Sequence, residues 1–90
     1  MPLAKVIVVN PLGLHARAAA KIVRLAREFE SNITIVRPNR DRRADARSIL
    51  AILELGAKEG TQLEIEALGK DETAALVAIT CLIDRGFDEI

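Results

Sequence analysis

Apolar and polar positions alternate along the chain in blocks that predict its elements. Ala4–Val9 is short and β-branched, which predicts a strand, and Pro11 and Gly13 break it. From Ala16 to Phe29 the residues Ala19, Ile22, Val23, Ala26 and Phe29 recur at helical spacing, while Arg17, Lys21, Arg24 and Arg27 fall off that stripe. This is an amphipathic helix with a basic outer side. Ser31-Asn32 is a turn, and Ile33–Val36 a second strand. The polar stretch Arg37–Arg43 predicts a hairpin loop into a short third strand near Ala44–Ala46.

Ser48 stands before Ile49, Leu50, Ile52, Leu53 and Leu55, and Gly56 follows them. That is a short helix with a serine N-cap and a glycine at its end. Leu63, Ile65 and Ala67 alternate with Gln62, Glu64 and Glu66, the cleanest strand pattern in the chain. Asp71 and Glu72 open a last helix whose core stripe is Ala75, Leu76, Ile79, Leu82 and Ile83, with Gly86 ending it. The order β-α-β-β-α-β-α predicts an α+β fold, an open-faced β-sandwich. A four-stranded, mostly antiparallel sheet carries three helices on one face and turns the other to water.

Composition narrows this picture. A length of 90 residues points to a single domain over 1–90, and half of those residues are hydrophobic, enough for a core without metal or disulfide staples. Disordered, collagen-like and disulfide-scaffold chains are excluded on the same grounds. Phe29 and Phe87 are the only aromatics, which removes the stacking platforms that grip single-stranded nucleic acid. A net charge of zero argues against a dedicated DNA binder. The zero hides an asymmetry: residues 1–47 carry ten basic and four acidic groups, and residues 48–90 three basic and nine acidic. The basic half can steer an acidic partner, or the two halves can simply fold against each other.

Cys81, beside Ala78 and Leu82, reads as a small core residue without a disulfide partner. The start of the chain lacks the basic region of a signal peptide, and no apolar run approaches the ~20 residues of a membrane span, so a cytoplasmic protein is expected.

The only histidine, His15, falls where the first turn meets the first helix. Early helical N–H groups lack intrahelical acceptors and attract anions such as phosphate. The helix end and Arg17 both disfavour the protonated ring and leave a nitrogen lone pair for attack on a phosphoryl group. Arg17 and the amides of Ala16 and Arg17 can then hold the acquired phosphate. A histidine that merely caps its helix is the plainer alternative. No second His, no nearby Cys and no acid within residues 1–27 offers a local base or metal ligand. A functional His15 therefore reads as a covalent carrier, with no metal and no cofactor.

The segment GLHARAAA resembles the active-site segment of the HPr family, the phosphocarriers of the bacterial phosphotransferase system. RSILAILELGAKEG at Arg47–Gly60 is similar to the family's regulatory-serine segment, and IDRGFDEI to its nitrogen-regulatory branch. The resemblance implies that His15 accepts a phosphoryl group at Nδ1 from enzyme I and hands it to a IIA-type protein, as a stoichiometric carrier with no turnover of its own. It implies that Arg17 stabilises the phosphate, that Arg24 and Arg27 help dock partners, and that Ile49, Leu50 and Leu53 form an apolar docking patch. Each arginine is otherwise an ordinary solvated cation, and the apolar residues can equally belong to the core. A monomer free of membrane and nucleic acid is expected. Ser48 matches the position that a kinase modifies in some members, and Arg47 could pair with its phosphate; a cap role explains the serine equally.

Two features depart from the family pattern. Ala18 stands where proline is usual, which keeps one more N–H as a candidate phosphate donor. The Arg37–Arg43 loop is longer and richer in arginine than in most members, a candidate contact for an acidic partner or RNA, although Asp41 and Asp45 interrupt the basic run and no aromatic accompanies it. Readings from other classes are a small-molecule-sensing module of the ACT type, which needs neither His15 nor Arg17, and a regulator acting through Ser48 alone, which needs no histidine.

Overall fold

The computed structural model describes residues 2–90. The strands β1 (Leu3–Ile7), β2 (Asn32–Arg37), β3 (Arg42–Asp45) and β4 (Gln62–Leu68) form one antiparallel sheet in the order β1-β4-β2-β3. The helices are α1 (Ala16–Ala26), α2 (Ile49–Glu54) and α3 (Glu72–Asp84).

Register follows from the alternation. Val6 lies opposite Leu63, and Ile35 lies between Ile65 and Ala44, so one face is a continuous aliphatic surface. A one-residue slip would turn that whole set to water. Ile22, Val23 and Ala26 of α1, Ile52 of α2 and Ile79 and Ile83 of α3 pack over it, all buried. Each such Val or Ile contributes about 1.5–3 kcal/mol of burial. The opposite face carries Lys5, Gln62, Glu64 and Arg43, with an Arg43–Glu66 ion pair at 2.5 Å.

The elements expected from the sequence are present, with shifted ends. β1 ends at Ile7 instead of Val9, although the chain stays paired through Val8, whose N–H donates to Thr61 O at 3.0 Å. α1 stops at Ala26 instead of Phe29, because the N–H groups of Glu28 and Phe29 donate to Leu25 O and Ala26 O in a tightened last turn. β3 begins at Arg42 and ends at Asp45, because the expected hairpin loop contracts to one helical turn over Pro38–Arg40 and a left-handed Asp41.

One core assignment fails. Cys81 is exposed, not buried. The buried stripe of α3 is Ala75, Ile79, Leu82 and Ile83, and Cys81 is one step of about 100° around the helix from Leu82.

The arginines of the predicted loop are mostly occupied. Arg37 is buried, and its Nη1 donates to Leu55 O and Gly56 O at 2.8 Å each. Arg42 Nη1 donates to Glu54 O at 3.0 Å, so both side chains satisfy carbonyls left open at the end of α2. With Arg43 on Glu66, little of the run remains free for an acidic partner.

Candidate functional site: His15 at the start of the first helix

The turn before α1 is held from both sides. Gly13 N–H donates to Asn10 O at 3.0 Å, and Asn10 Nδ2 donates back to Gly13 O at 2.9 Å. Leu14, itself buried, donates its N–H to Ala57 O at 2.9 Å. Gly13 has φ +67°, which suits glycine, and the chain then enters the helix with His15 as the extended N-cap residue at φ −77° and ψ 179°.

As the N-cap, His15 directs Nδ1 at the helix end, where it accepts from the Arg17 N–H at 3.2 Å. Its Nε2 lies 2.6 Å from Oε2 of Glu89. A nitrogen that accepts an amide proton carries a lone pair, so the proton of the neutral ring is on Nε2, donated to the carboxylate. The ring nitrogen left with a lone pair is Nδ1, facing the electropositive end of α1. The ring is one quarter exposed, its side-chain accessibility being 24%.

Glu89 arrives by an unusual backbone path. Gly86, Phe87 and Asp88 all have left-handed φ, at 64°, 58° and 62°. Phe87 is fully buried, and Lys21 Nζ donates to its carbonyl at 2.6 Å. Asn10 Nδ2 donates to Glu89 Oε1 at 3.0 Å. That bond, ahead of the contact with His15 and against the opposing effect of burial, holds the Glu89 carboxyl below the ordinary value of 4.5. Arg17, Lys21, Asp88 and Glu89, with Pro11 and Leu12, line a cleft of about 400 Å³.

His15 Nδ1 and the backbone N–H of Arg17 thus meet at one point, while the Arg17 side chain is exposed and lines the cleft with Glu89. The amides of Ala16 and Ala18 are in the same first turn, and the Ala18 methyl is fully buried where proline is usual. Arg24 and Arg27 are exposed on or just beyond the last turn of α1. On α2, Ile49, Leu50 and Leu53 are exposed at 42%, 68% and 37%, while Ile52 is buried. Ser48 caps α2, its Oγ accepting from the Ala51 N–H at 3.1 Å.

The expected pairing of Arg47 with a Ser48 phosphate is not supported. Arg47 Nη2 reaches Phe29 O at 2.6 Å, Ser31 O at 3.1 Å and Ala26 O at 3.3 Å, so its guanidinium closes the end of α1. Sequence reasoning also missed Glu89, Asn10 and the tie from Lys21. The acids absent from residues 1–27 have a distant counterpart in Glu89, whose carboxylate meets the ring. Nothing local in DEI marks a carboxylate that folds back 74 positions to the ring.

Residues 3–85 match the family model described as the PTS HPr component phosphorylation site. The chain is 39% identical over 89 residues to the phosphocarrier protein HPr of Pseudomonas putida, covering 99% of this chain and 98% of that one. It is 45% identical over 85 residues to the phosphocarrier protein NPr of Shewanella violacea, covering 94% and 91%. Among solved structures, an HPr from Thermoanaerobacter tengcongensis superposes with a TM-score of 0.92 at 36% identity, covering 100% of this chain and 99% of that one. An HPr dimer from the same organism superposes at 0.74 with 34% identity, covering 97% and 98%. The ACT-type alternative finds no support beside these matches.

Proposed function

The chain belongs to the HPr family of phosphocarrier proteins, and on that footing we propose that His15 is its phosphoryl acceptor. Nδ1 takes the group from the phosphohistidine of an enzyme I and yields it to a IIA-type acceptor, in either the sugar-transport or the nitrogen-regulatory branch. The chain acts as a stoichiometric carrier, with no turnover of its own and no cofactor. The observation that carries this reading is the N-cap geometry, with Nδ1 accepting from the Arg17 N–H at 3.2 Å. A phosphoryl oxygen on Nδ1 would take over that amide and the neighbouring amides of Ala16 and Ala18, with the Arg17 guanidinium neutralising its charge.

Partners dock, in this reading, on exposed Ile49, Leu50 and Leu53 with Arg24 and Arg27 at the rim, an apolar centre with a basic edge. Ser48 acts first as a helix cap. Residues 1–90 work as one domain and as a monomer in the cytoplasm; no helix among the described residues is long and apolar enough to cross a membrane.

The test mixes the protein with phosphoenolpyruvate and enzyme I. Wild type acquires an acid-labile, base-stable phosphate, and His15→Ala acquires none. Label persisting in His15→Ala overturns the assignment. Arg17→Glu slows transfer without unfolding the chain, and an unchanged rate removes Arg17 from the site.

A further inference from the structure

We propose that Glu89 is a positioning residue for phosphoryl transfer: its carboxylate holds the His15 ring with the proton on Nε2 and the Nδ1 lone pair presented to the incoming group. The inference rests on His15 being the phosphoryl acceptor. Its ground is the 2.6 Å contact between Nε2 and Glu89 Oε2, made from the opposite side of the ring to the Arg17 amide.

The carboxylate is itself held in place. Asn10 is fully buried and donates from Nδ2 both to Gly13 O and to Glu89 Oε1, so one amide ties the turn before His15 to the segment that carries Glu89. The Asn10 Oδ1 atom is buried without a partner among the described residues. Its orientation is therefore set by the two donated bonds and not by its own acceptor. The backbone path is strained as well, since Phe87 and Asp88 are both left-handed. Burial of Phe87 and the Lys21 bond to its carbonyl hold that path. The result of the strain is a carboxylate on the ring.

The chemistry follows from the placement. As the Nδ1–P bond forms, the N–P bond of the donor phosphohistidine breaks and the donor imidazole keeps the bonding pair. Nε2 keeps its proton, so positive charge develops on the His15 ring. A carboxylate already bonded to that N–H stabilises the charge, as the aspartate does for the histidine of a serine-protease triad. Arg17 and Lys21 are the cations of the cleft that Glu89 lines, and Asp88 is its other acid.

Glu89→Gln removes the charge and keeps an oxygen for Asn10. With a phosphohistidine donor protein charged by phosphoenolpyruvate, the variant loses on the order of tenfold in saturating transfer rate, the worth of one charge-assisted hydrogen bond in the transition state, with KM unchanged. An unchanged or faster saturating rate, or an effect confined to KM, overturns the proposal. In proton NMR the wild-type ring shows a downfield, slowly exchanging Nε2–H that disappears in Glu89→Ala; its absence from wild type overturns the proposal without reference to phosphorylation. A wild-type protein that takes no label at His15 defeats the carrier reading and this role together. A labelled His15 with an unaffected Glu89→Gln rate defeats the role of Glu89 alone.

Discussion

Gly13 lies against Lys58 so closely that a β-carbon on the glycine would stand 2.7 Å from Lys58 Cα, and 2.6 Å from Ala57 O. Both neighbours are backbone, so the turn that presents His15 rests on the segment leaving α2 and cannot move alone. Gly13→Ala meets this contact and a φ of +67°. We expect a loss of at least about 2 kcal/mol in urea unfolding, with slower phosphoryl transfer by the folded fraction. Gly60→Ala is the control, with φ +90° and nothing within 4 Å of the added atom. If the two variants lose equal stability, backbone strain alone explains the result and the contact has no weight.

Arg47 joins the end of α1 to the start of β2 through three carbonyls. Arg47→Met removes the donor from the Phe29 and Ser31 carbonyls, while Ala26 O keeps the Phe29 N–H, and should lower stability by about 1.5–3 kcal/mol. Arg47→Lys recovers only part, since an ammonium cannot reproduce the geometry of a guanidinium. Ser48→Ala, which removes the bond to the Ala51 N–H, costs about 0.5–2 kcal/mol. Denaturant midpoints measure all three, and an Arg47→Met midpoint equal to wild type would contradict the capping role.

Asp71 accepts from Ser31 Oγ at 2.5 Å, Ser31 N–H at 2.9 Å and Glu30 N–H at 3.0 Å. The serine hydroxyl first, and then the Glu30 amide, hold its carboxyl below the ordinary value of 3.8. A folded pKa below the unfolded one means stability present above 3.8 and lost as the pH falls through the lowered folded value. Glu89 acts with the same sign from its ordinary 4.5. The wild-type Tm should therefore drop on acidification below about pH 4, and Asp71→Asn, less stable at neutral pH, should drop less over the same window. Parallel Tm-against-pH curves for the two proteins would remove Asp71 from the acid response.

Neighbouring residues of α2 should separate cleanly. Leu50 is 68% exposed, so Leu50→Glu changes stability by less than about 0.5 kcal/mol while raising KM for phosphoryl transfer. Ile52 is fully buried, so Ile52→Ala costs about 2–5 kcal/mol. An unchanged KM in Leu50→Glu would remove the docking role of this patch.

The fold was legible wherever one residue's environment follows from its spacing to the next. Leu63, Ile65 and Ala67 alternate in the sequence and are all buried in the sheet. Ser48 and Gly56 bracket α2 as cap residues do. Where competing partners decide, spacing was not enough. α1 ends early as its last N–H groups turn to nearer carbonyls, and Arg37 and Arg47 leave the basic surface for carbonyls at helix ends. Cys81 shows the limit within one helix, since adjacency to Leu82 says nothing about sharing its face.

The candidate site divides along the same line. That His15 opens a helix, with Arg17 two residues on, is a local matter of turn glycine, cap and helical spacing, all written within five consecutive positions. That Nε2 meets a carboxylate depends on the packing of Phe87, the double donation of Asn10 and the Lys21 tie, which bring Glu89 across 74 positions. Hydrogen bonds within a turn are set by covalent geometry and can be read in order along the chain. Bonds between distant segments exist only once a shared core has fixed both, and no local pattern encodes where that core will hold them.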